Sequence, residues 1–328
     1  MTSNNTEIIH FLIIGFGNIA QRHMNNILAK SSNQFVTILT NTGYKSQIND
    51  ERVSFFSDQN EIINFDFDYI FICSPATFHI QHLEFSIKTK CKRIFIEKPL
   101  ASDLEILDFC DKFSKKDKER VFIGYCLRYN KSLIALKKAI DTNVCGNIIS
   151  IYSSCGQYLP NWRPGKDYKK SVSAQNFLGG GALLELSHEF DYIQWIFEKL
   201  EIKCSMIKNT GALDIDVEDL VDIFAETIHG ASVKIHLNFL ERTPQRFCYV
   251  LGNKGSLRWD FSEGTVIFSD GYIKEYLHQG NENDINQMYI DMLDDFLGEK
   301  KYTPSINATV ETSLNVLQLI QDIRKSEI

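Results

Sequence analysis

The sequence lacks what several classes of protein require. None of its apolar runs approaches the ~20 residues needed to cross a bilayer, so no membrane partnership is expected. It has no basic excess: the formal net charge is −7, and nucleic acid, which selects basic surfaces, is not an expected partner. Residues 1–7 lack the basic-then-apolar layout of a secretory leader, and a cytoplasmic location is expected. The cysteines at 73, 91, 110, 126, 145, 155, 204 and 248 form no C-x-x-C pair, whereas a zinc site wants close ligand pairs. Flanks such as Phe71-Ile72 and Phe247 mark them as small buried hydrophobes in a reducing compartment. His79 and His82 lie three apart on an expected helix, but no carboxylate or thiol nearby completes a metal-ligand set. A solvated face is expected there, and no metal.

What is present fits a folded chain of two domains. Hydrophobic residues make up 44% and charged residues 23%, which argues against disorder. A length of 328 residues exceeds what one core usually serves. Residues 8–14, Ile-Ile-His-Phe-Leu-Ile-Ile, read as a central parallel strand buried on both faces. The run ends in Gly15-Phe16-Gly17-Asn18-Ile19-Ala20, a G-x-G-x-x-A turn, and residues 21–30 continue as a helix. Gly15 permits the tight turn, Gly17 admits a pyrophosphate to the backbone, and Ala20 allows close helix–strand packing. The helix then offers its free N–H groups and positive dipole end to the phosphates. A glycine pattern between a strand and a helix is far more specific than one standing alone.

The next strand, residues 35–40, ends without the Asp or Glu that would hold a ribose 2′-hydroxyl. Thr40, Asn41 and Thr42 are neutral hydrogen-bonding residues, and Lys45 is placed to meet a 2′-phosphate. NADP(H) is therefore favoured over NAD(H). Two further strands end in Ser74-Pro75-Ala76-Thr77-Phe78-His79 and in Glu97-Lys98-Pro99. Ligands of open α/β sheets bind beyond the carboxyl ends of the strands, so both turns are expected to face the cofactor, with Lys98 placed for chemistry. Residues 121–125 form the last strand. The alternation of strands and helices predicts a doubly wound parallel sheet over residues 1–123, with a second domain over 124–328.

The second domain reads as strands and hairpins. Residues 147–158 have strand composition, and 221–228 and 231–239 flank His229-Gly230 as a hairpin. Further turns are marked by Ser262-Glu263-Gly264 and Ser269-Asp270-Gly271, and residues 308–323 carry apolar positions at helical spacing. The loop from Tyr158 through Trp162, Arg163 and Tyr168 to Ser173 is aromatic and basic, a composition that lines ligand sites. Its rings offer stacking surfaces, and Arg163 and Lys169 offer charge to a carboxylate or phosphate. Beyond it, Gly179-Gly180-Gly181 leads into a helix expected from Ala182, with Glu185, His188 and Asp191 on one face.

Taken together, Gly15-x-Gly17-x-x-Ala20, Glu97-Lys98-Pro99 and the glycine run followed by Glu185 and His188 resemble the Gfo/Idh/MocA oxidoreductases. Tyr125-Cys126-Leu127-Arg128-Tyr129-Asn130 resembles that family's crossing segment, and residues 251–259 resemble a hairpin of its C-terminal sheet. The resemblance implies an N-terminal Rossmann domain and a C-terminal α/β domain on a large, open, mostly antiparallel sheet through which subunits associate as dimers or tetramers. It also implies hydride transfer between a nicotinamide and a hydroxyl or keto group of a sugar. Lys98 would hydrogen-bond the reacting hydroxyl, His188 would act as acid/base, and Arg128 would lie by the cofactor. Relatives commonly space the acid and histidine as D-x-x-x-H, whereas this chain has E-x-x-H; Glu185 either orients the imidazole or faces elsewhere. The basic aromatic loop favours an acidic or nucleotide-linked sugar. Two alternatives stay open: a glycosidase that uses the nicotinamide for transient oxidation, and a non-catalytic dinucleotide sensor or scaffold.

Overall fold

The computed structural model describes residues 7–41, 48–280, 285–302 and 304–328. The chain divides into two compact units. One takes the chain up to Gly124 and adds Tyr289–Glu311; the other takes Tyr125–Met288 and Thr312–Ile328.

The first unit is a six-stranded parallel sheet, with strands β1 (Ile9–Ile14), β2 (Gln34–Leu39), β3 (Val53–Phe56), β4 (Tyr69–Ile72), β5 (Arg93–Glu97) and β6 (Val121–Gly124) in the order β3-β2-β1-β4-β5-β6. Helices α1 (Asn18–Lys30), α2 (His79–Ile87), α3 (Glu105–Cys110) and α4 (Lys115–Glu119) connect them. The expected apolar runs are the central strands: Phe11 to Ile14 and Ile70 to Ile72 are at most 2% exposed. Order reverses between β1, which follows β2 in space, and β4, placing a switch point at the carboxyl ends of these two strands.

A segment assigned by sequence to the second domain belongs to the first. Phe296 sits edge-on among Phe71, Phe95 and Phe122, with centroids 5.1–5.6 Å apart. The Arg93 guanidinium donates to the carbonyls of Asp295 and Phe296, and Lys30 pairs with Asp294 and Glu299. Burying one such ring contributes about 1.5–3 kcal/mol, enough to recruit a short helical stretch across a domain limit drawn from sequence alone.

The second unit holds an eight-stranded sheet. It comprises helix α5 (Lys131–Asp141), strand β7 (Ile148–Gly156), helices α6 (Ala182–Glu185) and α7 (His188–Phe197), and strands β8 (Leu200–Lys208), β9 (Leu220–Thr227), β10 (Ser232–Asn238), β11 (Gln245–Gly252), β12 (Gly255–Asp260), β13 (Thr265–Ser269) and β14 (Lys274–Gln279). Of the two later helices, α8 (Asn286–Leu297) falls mostly within the stretch that joins the first unit, and α9 (Val310–Lys325) mostly within the second. The strand order is β14-β13-β12-β11-β7-β10-β9-β8, with β10 and β7 the one parallel neighbouring pair. The β9–β10 hairpin turns where expected, with Gly230 at φ +83°. One face is packed: Trp259 is fully buried and its indole Nε1 donates to Ser132 Oγ on α5 at 2.8 Å. On the other face Tyr152, Lys234, Phe224 and Arg258 alternate as cations over rings. Among the described residues, no helix is long and apolar enough to cross a membrane.

The helix expected from Ala182 is two helices. Leu186 and Ser187 break it, with Leu186 at φ −96°, ψ 22°. Glu185 therefore ends one helix and His188 begins the next.

Candidate active site

The turn after β1 behaves as the glycine spacing requires. Gly15 has φ +91°, and a Cβ there would lie 2.8 Å from the Ser74 amide nitrogen and 2.9 Å from the Cys73 carbonyl carbon. The β1 and β4 turns are thus packed backbone to backbone, which only glycine permits. Gly17 is different: its φ is −84°, and a Cβ added to it would meet nothing within 4 Å. Gly17 caps α1 without any side-chain hydrogen bond, and the first turn carries no acidic residue. Open space before an uncapped, positive helix end fits a pyrophosphate. Asn18 is exposed and Ile19 half-buried at this opening, whereas Phe16 turns inward, 6% exposed and edge-on to Phe55.

The strand ends around this opening are tied together. Glu97 is 8% exposed and accepts from, or shares a proton with, His23 Nε2 at 2.7 Å. His79, expected on a solvated face and by the cofactor, is buried instead: Nδ1 lies 2.9 Å from the Pro99 carbonyl and Nε2 2.8 Å from the Ser74 carbonyl. It staples the Ser74 turn to the turn after β5 and leaves no ring nitrogen for a ligand. His82 also turns inward, bonding Ser74 Oγ through Nδ1 at 2.8 Å. Burial, with His79 beside it, pushes its imidazole down to about 4. Among the described residues no group of three or more His, Cys, Asp or Glu could hold a metal, and all eight cysteines are free, with all but Cys204 buried. Thr77 is exposed; Lys98, Ser74, Pro75 and Thr40 are half-buried; Asn41 is exposed. Thr42 and Lys45 lie outside the described residues.

In the second unit, the glycine run makes room for a carboxylate. Gly181 has φ +102°, and a Cβ there would lie 2.4 Å from Glu218 Oε1. Glu218 accepts the Leu183 N–H at 3.0 Å through Oε1, and its carbonyl accepts the Ala182 N–H at 3.1 Å. It serves as a cap of α6 supplied from just before β9. His188 follows the break, half-buried, with Tyr125 edge-on at 5.5 Å between centroids and 82° between planes. One turn further along α7, Asp191 is fully engaged: Arg128 Nη2 and Nε donate to its two oxygens at 2.7 and 2.9 Å. The Arg128 guanidinium also stacks on Trp195 at 5.6 Å. Arg128, expected by the cofactor, pairs with Asp191 inside the second unit, on the helix that carries His188.

The aromatic loop is folded onto the sheet end. The Leu159 N–H donates to the Phe239 carbonyl at 2.9 Å, Trp162 Nε1 donates to Gln157 O at 3.3 Å, and the Trp162 ring meets Phe239 edge-on at 5.2 Å. Trp162 is thus committed to packing along part of its surface. The ring of Tyr158 is covered by the Arg242 guanidinium at 3.6 Å. Arg163, Tyr168 and Glu185 are half-buried, and Lys169 pairs with Asp214. Sequence reasoning missed Glu218, Tyr125 and Arg242 as site residues. The obligate glycine at 181 is a signal for a close neighbour, but it does not say which residue approaches.

Two family models match most of the chain: an oxidoreductase family with an NAD-binding Rossmann fold over residues 9–125, and the GFO/IDH/MocA C-terminal domain over residues 133–258. Oxidoreductase P35 of Formosa agariphila is 22% identical over 296 residues, 86% of this chain and 89% of its own length. The inositol 2-dehydrogenase/D-chiro-inositol 3-dehydrogenase of Halalkalibacterium halodurans is 26% identical over 58% of this chain and 53% of its own. Among solved structures, the WlbA dehydrogenase from Bordetella pertussis in complex with NADH and UDP-GlcNAcA superposes with a TM-score of 0.73, 18% identity, and coverage of 98% of this chain and 96% of its own. With the strand–glycine turn–helix opening, the tied strand ends and the open second sheet, these matches place the chain in the Gfo/Idh/MocA family of oxidoreductases.

Proposed function

We propose that the protein transfers hydride between a nicotinamide dinucleotide and a hydroxyl or keto group of a sugar, with an acidic or nucleotide-linked sugar as substrate. The observation that carries this reading is the opening at Gly17: uncovered backbone at the positive end of α1, reached through a turn that only Gly15 allows. When bound, the dinucleotide supplies the hydride chemistry. Gly15, Gly17, Asn18 and Ile19 hold its pyrophosphate, and the turns of Ser74-Pro75-Thr77 and Glu97-Lys98 flank it. Thr40 and Asn41 face its ribose; with no carboxylate there, and Lys45 following, NADP(H) is favoured over NAD(H).

The chain's own residues handle the proton. Lys98 donates to the reacting oxygen and stabilises negative charge developing on it. His188 takes the hydroxyl proton in oxidation and returns it in reduction, a task suited to an imidazole side chain. Tyr125 and the Arg128–Asp191 pair hold the imidazole in place. Trp162, Arg163, Tyr168 and Glu185 line the substrate's side. The NADH and acidic nucleotide sugar named for the WlbA structure support the substrate class. Reduced, mostly buried thiols suit the cytoplasm, and the exposed ring-and-cation face of the second sheet suits homo-oligomers.

The test is turnover of a panel of sugars and nucleotide sugars with NADPH, NADH and their oxidised forms. His188→Ala is expected to lower kcat roughly 10²–10⁴-fold, and unchanged turnover would remove His188 from the chemistry. Glycoside cleavage without net redox change would reassign the protein as a glycosidase.

A further inference from the structure

The cation on Tyr158 has no partner that its position requires. Arg242 is exposed and stands just beyond β10, and its guanidinium lies over the Tyr158 ring at 3.6 Å. It makes no ion pair or hydrogen bond with any described residue, although Glu241 is adjacent; the Glu241 carboxylate instead accepts from Gln245 at 2.8 Å. A guanidinium held over a ring face by its central carbon still has N–H groups at its edge, which can meet a carboxylate or phosphate with two parallel hydrogen bonds. The stack restricts the side chain beforehand, so less freedom is lost when an anion arrives.

The fold puts this edge beside the catalytic helices of the same unit. Phe239, three residues before Arg242, donates its N–H to the Asp219 carbonyl at 2.8 Å and accepts from Leu159 at 2.9 Å. Asp219 adjoins Glu218, the cap of α6, and Leu159 adjoins Tyr158. The Arg242–Tyr158 stack, the aromatic loop and the glycine run that leads to His188 thus meet at one end of the sheet. One face of the Tyr158 ring thus serves as a platform for Arg242.

We propose that Arg242, held on Tyr158, is the specificity-determining residue of this site and reads an anionic group, carboxylate or phosphate, on the substrate. The proposal rests on the reading of the protein as a sugar oxidoreductase, and its test separates the two. Binding of D-glucuronate, D-glucose 6-phosphate, UDP-glucose and neutral myo-inositol is measured by calorimetry with the dinucleotide present, beside turnover of each. In the wild type at least one anionic probe binds more tightly than myo-inositol. Arg242→Ala reduces that preference roughly 10- to 100-fold, the scale of a lost charge-assisted pair. Arg242→Lys, with the charge but not the fork, falls between. Tyr158→Ala reproduces much of the loss, whereas Tyr158→Phe keeps the preference within about threefold because only the ring face is used.

Glucuronate alone responding assigns a carboxylate, and the phosphorylated probes alone responding assign a phosphate. An anion preference that survives Arg242→Ala, or a wild type that binds no anionic probe better than myo-inositol, overturns the proposal. Binding that depends on Arg242 without turnover of any probe upholds it and counts against the oxidoreductase reading alone.

Discussion

Replacing Gly181 with alanine tests the construction of the site from two directions. The backbone at Gly181, φ +102° and ψ 156°, lies where residues with a Cβ are strained by about 1–3 kcal/mol. The new methyl would also lie 2.4–2.6 Å from the carboxylate of Glu218, so Glu218 must withdraw and release the Leu183 N–H. A hydrogen bond to an ionised acceptor contributes about 1.5–3 kcal/mol. Gly181→Ala is therefore expected to destabilise the second unit by about 2.5–6 kcal/mol. In the Glu218→Ala background the clash is gone, and the same substitution costs only the backbone strain. Urea unfolding followed by tryptophan fluorescence, run as a double-mutant cycle, should return a coupling of about 1.5–3 kcal/mol. Equal costs of Gly181→Ala in the two backgrounds would refute the claim that the glycine exists to admit Glu218.

Two other expectations follow from buried groups. Arg128→Ala leaves Asp191 enclosed without its counter-charge, and should destabilise the protein by about 3–5 kcal/mol; equilibrium unfolding checks this, and a cost below 1 kcal/mol would mean that the pair does not hold α7. His82 titrates near 4 in the folded protein and near 6.5 unfolded. The unfolded chain therefore binds more protons between these values, and stability must fall as pH drops from 6.5 towards 4. His82→Gln should lessen that fall by about 1–3 kcal/mol in pH-dependent thermal unfolding, and superimposable pH profiles would contradict the burial argument.

The sequence disclosed elements whose signal is local. Buried parallel strands read as continuous apolar runs, and the second sheet's hairpins are marked by Gly230, Gly264 and Gly271 at positive φ. It did not disclose contacts that depend on distant partners. Phe296 joins the first unit because three phenylalanines from different strands leave a slot for it, which no periodicity encodes. His79 and His82 looked like an exposed pair because a three-residue spacing carries no information about which way a helix faces; backbone carbonyls of two strand-end turns draw the first inward. The break between Glu185 and His188 was hidden because Leu186-Ser187 is compatible with helix, and tertiary ties to Glu218 and Arg128 set the two segments apart. Arg242 carries no motif and is found only by its place over Tyr158.

The account rests on the opening at Gly17, and one variant probes it with opposed effects on stability and binding. Gly17→Asp puts a side chain into open space at a capping position, φ −84°, where aspartate can accept the free N–H groups of α1. The ligand-free protein should be as stable as the wild type or gain a few tenths of a kcal/mol. The same carboxylate occupies and repels the pyrophosphate position, so calorimetric titration with NADPH and NADH should show the affinity of the wild type lost by 100-fold or more, roughly what a displaced charge-assisted contact plus like-charge repulsion removes. The account predicts a folded, undiminished variant that no longer binds the dinucleotide. A Gly17→Asp protein that binds it as tightly as the wild type, or a wild type that binds neither form, would contradict it.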